Sequence, residues 1–447
     1  MMNRSDRDDL LQTLLTTKQR IEQIAKTLFL RKVPAVADTL QKVCDALEKT
    51  LSKEHVAFYT ESLLSLVNVM QGFETQKMPV RDRIESLKLM GDIIDEVSHK
   101  LAQETEIKKE IWFLPYKASM WDSLESIWRA AVEDKDSCNV YVMPIPYADR
   151  NPDGTAAEWH CERDQFPVDV PVVNWEDVDL EAVHPDVIYI HNPYDGNNIV
   201  TSVDSRYYSI ELKKCCDRLI YVPYFVLAEP DWVKDETLSD GQKKENENAI
   251  SGFVLTPGVL NADEVYVQSE NMRQVYIDVL MDATEHKNKE YWGKRIIAFG
   301  SPKLEKIERS KKEDYTLPEK WQRIIAGKKV ILYNTSLSAT LQNTDKVCAK
   351  LRYVFNVFKG QDKCALWWRP HPLMKATLRS MRPEVADEYE QIEKEYIAAG
   401  WGIYDDNPDV DRAVVCTDAY YGDCSSVVQL YQKTGKPIMI QSIPLTE

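Results

Sequence analysis

The sequence predicts an α/β protein of two consecutive doubly wound parallel sheets preceded by an all-helical segment. Three features predict it. Residues 1–108 show helical periodicity and almost no strand signal. From IWFLPYK onward, short apolar runs alternate with helical stretches, the strand, crossover, strand rhythm of a parallel sheet. The charged stretch ERSKKEDYTLPEK (308–320) then separates this alternation from a second one and is the best linker candidate. The expected domains are a helical segment over 1–108, a first Rossmann-like domain over 109–310 and a second over 311–447, and 447 residues are enough for two or three separate cores.

In the helical segment, Leu11, Leu14, Leu15, Ile21, Ile24 and Leu28 are spaced to share a face. Breaks near Pro34 and at Met78-Pro79 divide the segment into three or four helices, a bundle or a hairpin. The first alternation reads IWFLP, the helix MWDSLESIWRAAVED, VYVMPIPY, DVIYIHNPYD, RLIYVPYF, DEVYVQS and RIIAFGS. The polar stretch from Asp231 to Ile250 interrupts it and is expected to be a long loop, either a lid or a disordered insertion. The second alternation reads KKVILYNTS, a helix from Asp345 to Phe358, CALWWRPHP, a helix from Lys375 to Ala399, WGIYDD, AVVCTDAYYGDCSS, a helix through Val427 to Tyr431, and KPIMIQS.

Composition narrows the function classes. With 44% hydrophobic and 29% charged residues the chain reads as globular. No run approaches the roughly 20 apolar residues of a membrane span, and MMNRSDRDDL is too polar for a signal peptide. A cytoplasmic protein is expected, at most peripheral at the inner face of a membrane. Nine cysteines without a CxxC pair read as reduced thiols, and seven histidines without an i, i+4 pair give no reason to expect a metal site. The net charge of −16 is uneven: residues 1–109 hold 17 Lys+Arg and 17 Asp+Glu, leaving 39 against 55 for the remainder. So acidic a body argues against nucleic acid as a partner. The neutral helices argue against a membrane-surface role and offer a face for the rest of the chain or for a second copy.

The chemistry-bearing residues follow strands. In WWRPHPL the prolines at 370 and 372 lack an N–H, so the chain leaves the sheet there and holds Arg369 and His371 beyond its edge. Asn334, Thr335 and Ser336 follow VILY; Asp423, Ser425 and Ser426 follow the CTDAYYG turn. If the sheet is parallel, all three loops face one crevice at the carboxyl ends of the strands. Gly422 permits a tight turn, Asp423 or Ser425 caps the next helix, and that helix directs N–H groups at the crevice, which suits an anion, most simply a diphosphate. In the first half, DVIYIHNPYD places His191, Tyr194 and Asp195 beyond a strand. There His191 is a candidate base for an attacking hydroxyl, with Asp195 beside it; the alternative is a plain turn built on Asn192, Pro193 and Asp195.

In their order, GSPK (300–303), NTS (334–336), RPHP (369–372) and DxSS (423–426) resemble motifs of the CDP-glycerol glycerophosphotransferase family of teichoic-acid polymerases. The resemblance runs from Ile111 onward and is most specific over Lys328 to Ser442. It implies a GT-B fold, with the acceptor on the first Rossmann-like domain and the nucleotide donor on the second. It implies diphosphate-stabilising roles for His371 and for Ser425 or Ser426, and it places Gly300 and Ser301 at the hinge side of the donor cleft. The family's first-domain Trp-His-Gly motif has no counterpart: the equivalent strand, RLIYVPYF, carries Pro223 and Tyr224. The function expected on this basis is transfer of a phosphoglycerol or similar phospho-polyol unit to a hydroxyl acceptor in cell-envelope polymer synthesis. The partners expected are a nucleotide-diphospho donor, CDP-glycerol being favoured, and a polyol or glycan acceptor. No cofactor is called for, because cationic side chains and a helix end can neutralise the diphosphate. A GT-B glycosyltransferase, a sugar-nucleotide epimerase, and a non-catalytic nucleotide-binding or assembly protein remain alternatives.

Overall fold

Apolar residues at helical spacing fold the first hundred residues into four helices, Arg4–Thr27, Val33–Thr50, Lys53–Thr75 and Val80–Ala102. The computed structural model describes residues 2–27, 30–75, 79–151, 153–198, 200–284, 287–407 and 409–441; Leu28, Met78 and Ser442 lie outside these. Leu14, Ile21 and Ile24 meet Leu40, Leu63, Met70, Leu87 and Ile94 in one core, with Leu11 packed at its margin. Leu15 departs from the expected face and is 48% exposed, because it is one residue, about 100° of helix, away from Leu14. The segment is not free of strand: Met2–Asn3 pairs in parallel with Ile107 and Lys108. Arg4 adds ion pairs to Asp186 (3.1 Å) and Asp217.

The first sheet is wholly parallel. Its order is Cys138–Val142, Ile107–Leu114, Val187–Ile190, Arg218–Tyr221, Glu264–Val267, Ile296–Ala298, with Met2–Asn3 sharing the edge of Ile107–Leu114. Alternation along Ile107–Leu114 sends Trp112 and Leu114 into one core and Ile111 and Phe113 into another, so both faces are covered. A three-stranded antiparallel sheet, Ala156–His160, Tyr147–Arg150 and Thr201–Val203, adjoins it.

One expectation is corrected. The stretch 231–250 is neither a lid nor a disordered insertion. It forms a 3-10 turn, Asp231–Lys234, and most of the helix Asp240–Val254, with Trp232, Val233 and Ile250 packed on the first core. The helix begins at a capping box, Ser239 with Gln242, which satisfies its first amides. The stretch 308–320 lies between Ile296–Ala298 of the first sheet and Lys329–Thr335 of the second and is docked along its length, with Tyr315 and Leu317 on the second core and Lys312 3.0 Å from Asp418.

The second sheet runs Ile403–Tyr404, Cys364–Pro370, Lys329–Thr335, Ala419–Gly422, Ile438–Ile440, all parallel. Numbered along the chain, this is the order 3-2-1-4-5, and the direction of winding reverses between Lys329–Thr335 and Ala419–Gly422. The helix expected over 375–399 is two, Met374–Met381 and Pro383–Ala399, since Pro383 has no N–H to continue the first. Two Rossmann-like halves facing each other across a cleft make the fold α/β and GT-B-like. No helix among the described residues is long and apolar enough to cross a membrane.

At the reversal the two central strands almost touch. A Cβ on Gly422 would run into the carbonyl oxygen of Asn334 and lie 2.9 Å from its nitrogen. Gly422→Ala is therefore expected to lower unfolding free energy by about 2 kcal/mol or more in urea titrations, an overpacking penalty taken up by the backbone. A change under about 0.5 kcal/mol would mean that the strands separate freely there.

Candidate active site

The three strand ends of the second sheet converge as the winding rule requires. Asn334, Thr335, Ser336, Arg369, His371, Ser425 and Ser426 line one side of an interdomain cavity of about 270 Å³. Ser119, Met120, Tyr224, Phe225 and Val226 of the first domain form the facing wall, and Lys303 enters from the helix Pro302–Arg309 that leads from the first sheet towards the second.

Most polar groups in the second-sheet wall are held by a neighbour. Asn334 Nδ2 donates to Ser425 Oγ (3.0 Å) and to the Tyr420 hydroxyl (3.3 Å), tying the first loop to the third. Ser425 is the N-cap of Ser426–Gln432, its Oγ accepting the Val427 N–H at 3.3 Å, and Ser336 caps Leu337–Gln342 in the same way. Arg369, 4% exposed, pairs with Asp405 at 3.3 Å. Asp405 also accepts the Trp367 indole N–H (2.9 Å) and an Arg412 N–H (2.9 Å), so a single buried carboxylate orients the end of that strand.

His371 has a defined proton. Its backbone N–H donates to the Thr335 carbonyl (3.0 Å), and its Nδ1 accepts the Leu373 N–H at 3.2 Å, so the neutral ring carries its hydrogen on Nε2. Burial, reinforced by the Arg369 charge, holds the imidazole below its ordinary value. At neutral pH His371 is thus an uncharged hydrogen-bond donor. The residue suits an anionic ligand and does not suit proton abstraction through Nδ1.

Four sequence assignments need correction. His191 does not face the cleft: it is wholly buried, its Nε2 accepts the Tyr116 N–H (3.1 Å), and its Nδ1 bonds Ser123 Oγ (3.1 Å), whose hydroxyl donates to Met120 O. Burial, aided by the Lys303 charge, pushes its pKa down to about 3, so it fastens the 3-10 turn Ala118–Ser123 and is no base. Asp195, in a left-handed backbone conformation (φ 49°), is also turned away; it accepts Ser209 N–H (2.9 Å) and Ser209 Oγ–H (2.7 Å). Gly300 and Ser301 lie on a separate small cavity bordered by Val222, Tyr266 and Tyr276. Asp423 accepts the Ser336 N–H (2.8 Å) and pairs with Lys350, facing a second cavity of about 200 Å³ behind Thr335.

Sequence reasoning missed the first-domain wall. In the sequence Tyr224 stands only as a departure from a motif, and Lys303 closes GSPK with no role of its own. Its signal was local: Ser301 caps and Pro302 opens a helix, which fixes Lys303 in the first turn.

The burial of His191 has a measurable consequence. Its folded pKa of about 3 lies below the ordinary 6.5. Between these values the unfolded chain binds a proton that the folded chain refuses. The stabilisation is therefore complete above the ordinary value and is lost as pH falls towards the folded one, by up to about 1.4 kcal/mol per pH unit. His191→Gln is expected to flatten the stability profile in that window, measured by urea denaturation against pH. An unaltered slope would contradict the neutral, buried imidazole.

No protein-family model matches the sequence, and no curated protein matches it. Among solved structures, the chain is similar to a UDP-GlcNAc 2-epimerase from Methanocaldococcus jannaschii in complex with UDP-GlcNAc and UDP, at a TM-score of 0.42 and 10% identity over 74% of this chain and 83% of that one. It is also similar to the wall teichoic acid polymerase TagF, at a TM-score of 0.40 and 16% identity over 81% of this chain and 79% of that one.

Proposed function

We propose that the protein is a transferase that moves a phosphoglycerol or similar phospho-polyol unit from a nucleotide-diphospho donor to a hydroxyl acceptor in cell-surface polymer synthesis, with CDP-glycerol as the favoured donor. The observation that carries this reading is the convergence of Arg369, the Nε2–H of His371 and the Ser425 and Ser426 hydroxyls at the winding reversal of the second sheet, opposite a wall from the first domain. In the proposed step an acceptor oxygen forms a bond to the glycerol-bearing phosphorus while the bond from that phosphorus to the bridging oxygen breaks. Negative charge then collects on the departing nucleoside monophosphate, where His371 and Arg369 donate hydrogen bonds. Phosphoryl transfer with a loose transition state draws its acceleration mainly from positioning and charge stabilisation, so a strong base is not essential. The acceptor proton leaves late, to phosphate oxygen or solvent.

A second reading has its own support. Among the described residues the titratable side chains of the facing wall are Tyr224 and Lys303; burial raises the Tyr224 phenol, and Lys303 is a paired ammonium, so neither is a base at neutral pH. This favours a protein that binds the donor without turning it over. Calorimetry with CDP-glycerol, CDP, UDP and UDP-sugars, followed by assay for released CMP with polyol acceptors, separates the two. Binding of one donor, weakened roughly 10- to 100-fold in His371→Ala, is expected from losing one hydrogen bond to a charged group. CMP release then supports the transferase, and binding without release supports the second reading. Failure to bind any of them would sink both.

A further inference from the structure

Lys303 is almost wholly removed from water, with a side chain 14% exposed, yet it lines the cleft. Among the described residues lining that cavity it and Arg369 are the cations. Its Nζ lies 2.7 Å from Asp122 Oδ2. One turn further along the same helix, Lys306 lies 3.1 Å from Asp411 and 3.6 Å from Glu125. Asp122 and Glu125 belong to the first domain, the lysines to the helix leading out of it, and Asp411 to the second domain. Glu125 is held more closely by Arg129, at 2.8 Å, which leaves Asp122 and Asp411 as the main partners of the two ammonium groups. The cluster is poorly satisfied: Asp122 Oδ1 and the Asp411 carboxylate are buried without hydrogen-bond partners among the described residues, although Asp411 keeps its ion pair with Lys306.

A buried ionic cluster of this kind is weak as a source of stability, because desolvation offsets most of the attraction. Burial, with the Asp122 charge adding to it, raises the Asp411 carboxyl to about 6, and Asp409 acts in the same direction. Burial opposes the Lys303 charge, but the carboxylates outweigh it and hold that ammonium above its ordinary value. Lys303 therefore enters the cleft fully charged, beside a carboxylate with which it shares only one oxygen.

Resting on the donor reading above, we propose that Lys303 is a positioning ligand for the diphosphate: on binding it exchanges Asp122 for phosphate oxygens, and the exchange ties occupancy of the cleft to closure of the two domains. The helix Pro302–Arg309 transmits it. Lys303 faces the cleft and Lys306 the second-domain carboxylate, so a shift that brings Lys303 onto phosphate moves the Lys306 contact with Asp411. A phosphate oxygen also offers Lys303 a charge-assisted bond in a pocket already stripped of water.

The test uses the full chain and inorganic pyrophosphate, which carries the recognised group without a nucleoside. Calorimetry gives affinity, and small-angle scattering gives the change in radius of gyration on binding. Lys303→Met is expected to lose about tenfold or more in pyrophosphate affinity and to abolish the compaction seen in the wild type, while Lys303→Arg restores most of both. Asp122→Asn releases Lys303 from its competitor and is expected to tighten binding several-fold. A merely structural pair predicts no change or a loss, so this variant decides the matter even if Lys303→Met fails to fold. If Lys303→Met binds and compacts like wild type while His371→Ala does not, the inference falls and the donor reading stands. If the wild type binds neither pyrophosphate nor CDP, both fall.

Discussion

The crevice depends on the close approach of Gly422 to the backbone of Asn334. Two parallel strands lie side by side where the winding of the sheet reverses, and the helices that follow them diverge to opposite faces. The gap between those helices is the crevice, and its floor is sewn by short bonds: Asp423 N–H to Asn334 O (3.0 Å), Tyr420 O–H to Asp423 O (2.5 Å), and Asn334 Nδ2 to Ser425 Oγ (3.0 Å). The remaining loop, with Arg369 and His371, is joined through the His371 N–H to Thr335 O. Three segments distant in sequence therefore behave as one rigid rim. A rim that does not have to reorganise is what a site for a highly charged ligand needs, because the alignment of its donors is already in place.

The first sheet reverses too, between Ile107–Leu114 and Val187–Ile190, but there the result is different. The turn Ala118–Ser123 folds over the reversal and His191 pins it from beneath, so the crevice is filled by the protein's own side chains. Its outer surface, Ser119 and Met120, becomes cleft wall. Two similar halves thus have unequal tasks: one presents polar groups, and the other presents a mostly apolar face with one tyrosine hydroxyl.

What was legible in the sequence follows from this. The second sheet could be read because its strands end in residues with a local physical meaning: prolines that leave a ladder, a glycine at a close approach, serines that cap. His191 was misread because a position beyond a strand is a fact about the strand alone; whether another loop lies on top of it is a tertiary fact that periodicity does not contain. Asp423 was placed beyond the correct strand but on the wrong side, because Lys350 of the helix Val347–Phe358 draws it away. The helix Asp240–Val254 escaped notice because its face is polar and only its capping box, Ser239 with Gln242, marks the start. Lys303 was invisible as a site residue for the same reason as His191. Its meaning comes from Asp122, more than a hundred residues earlier.

The two-residue strand Met2–Asn3 has a topological consequence. Because Met2 is partnered with Ile107 and Asn3 with Lys108, the helical segment departs from one strand and returns to its neighbour in the same sheet, roughly 5 Å away. Its four helices are a closed excursion with a core of their own, so their length and orientation can change without altering the spacing of any strand that follows. The same pairing engages Ile107 and Lys108, the part of that strand that precedes its ladders with Cys138–Val142 and Val187–Ile190.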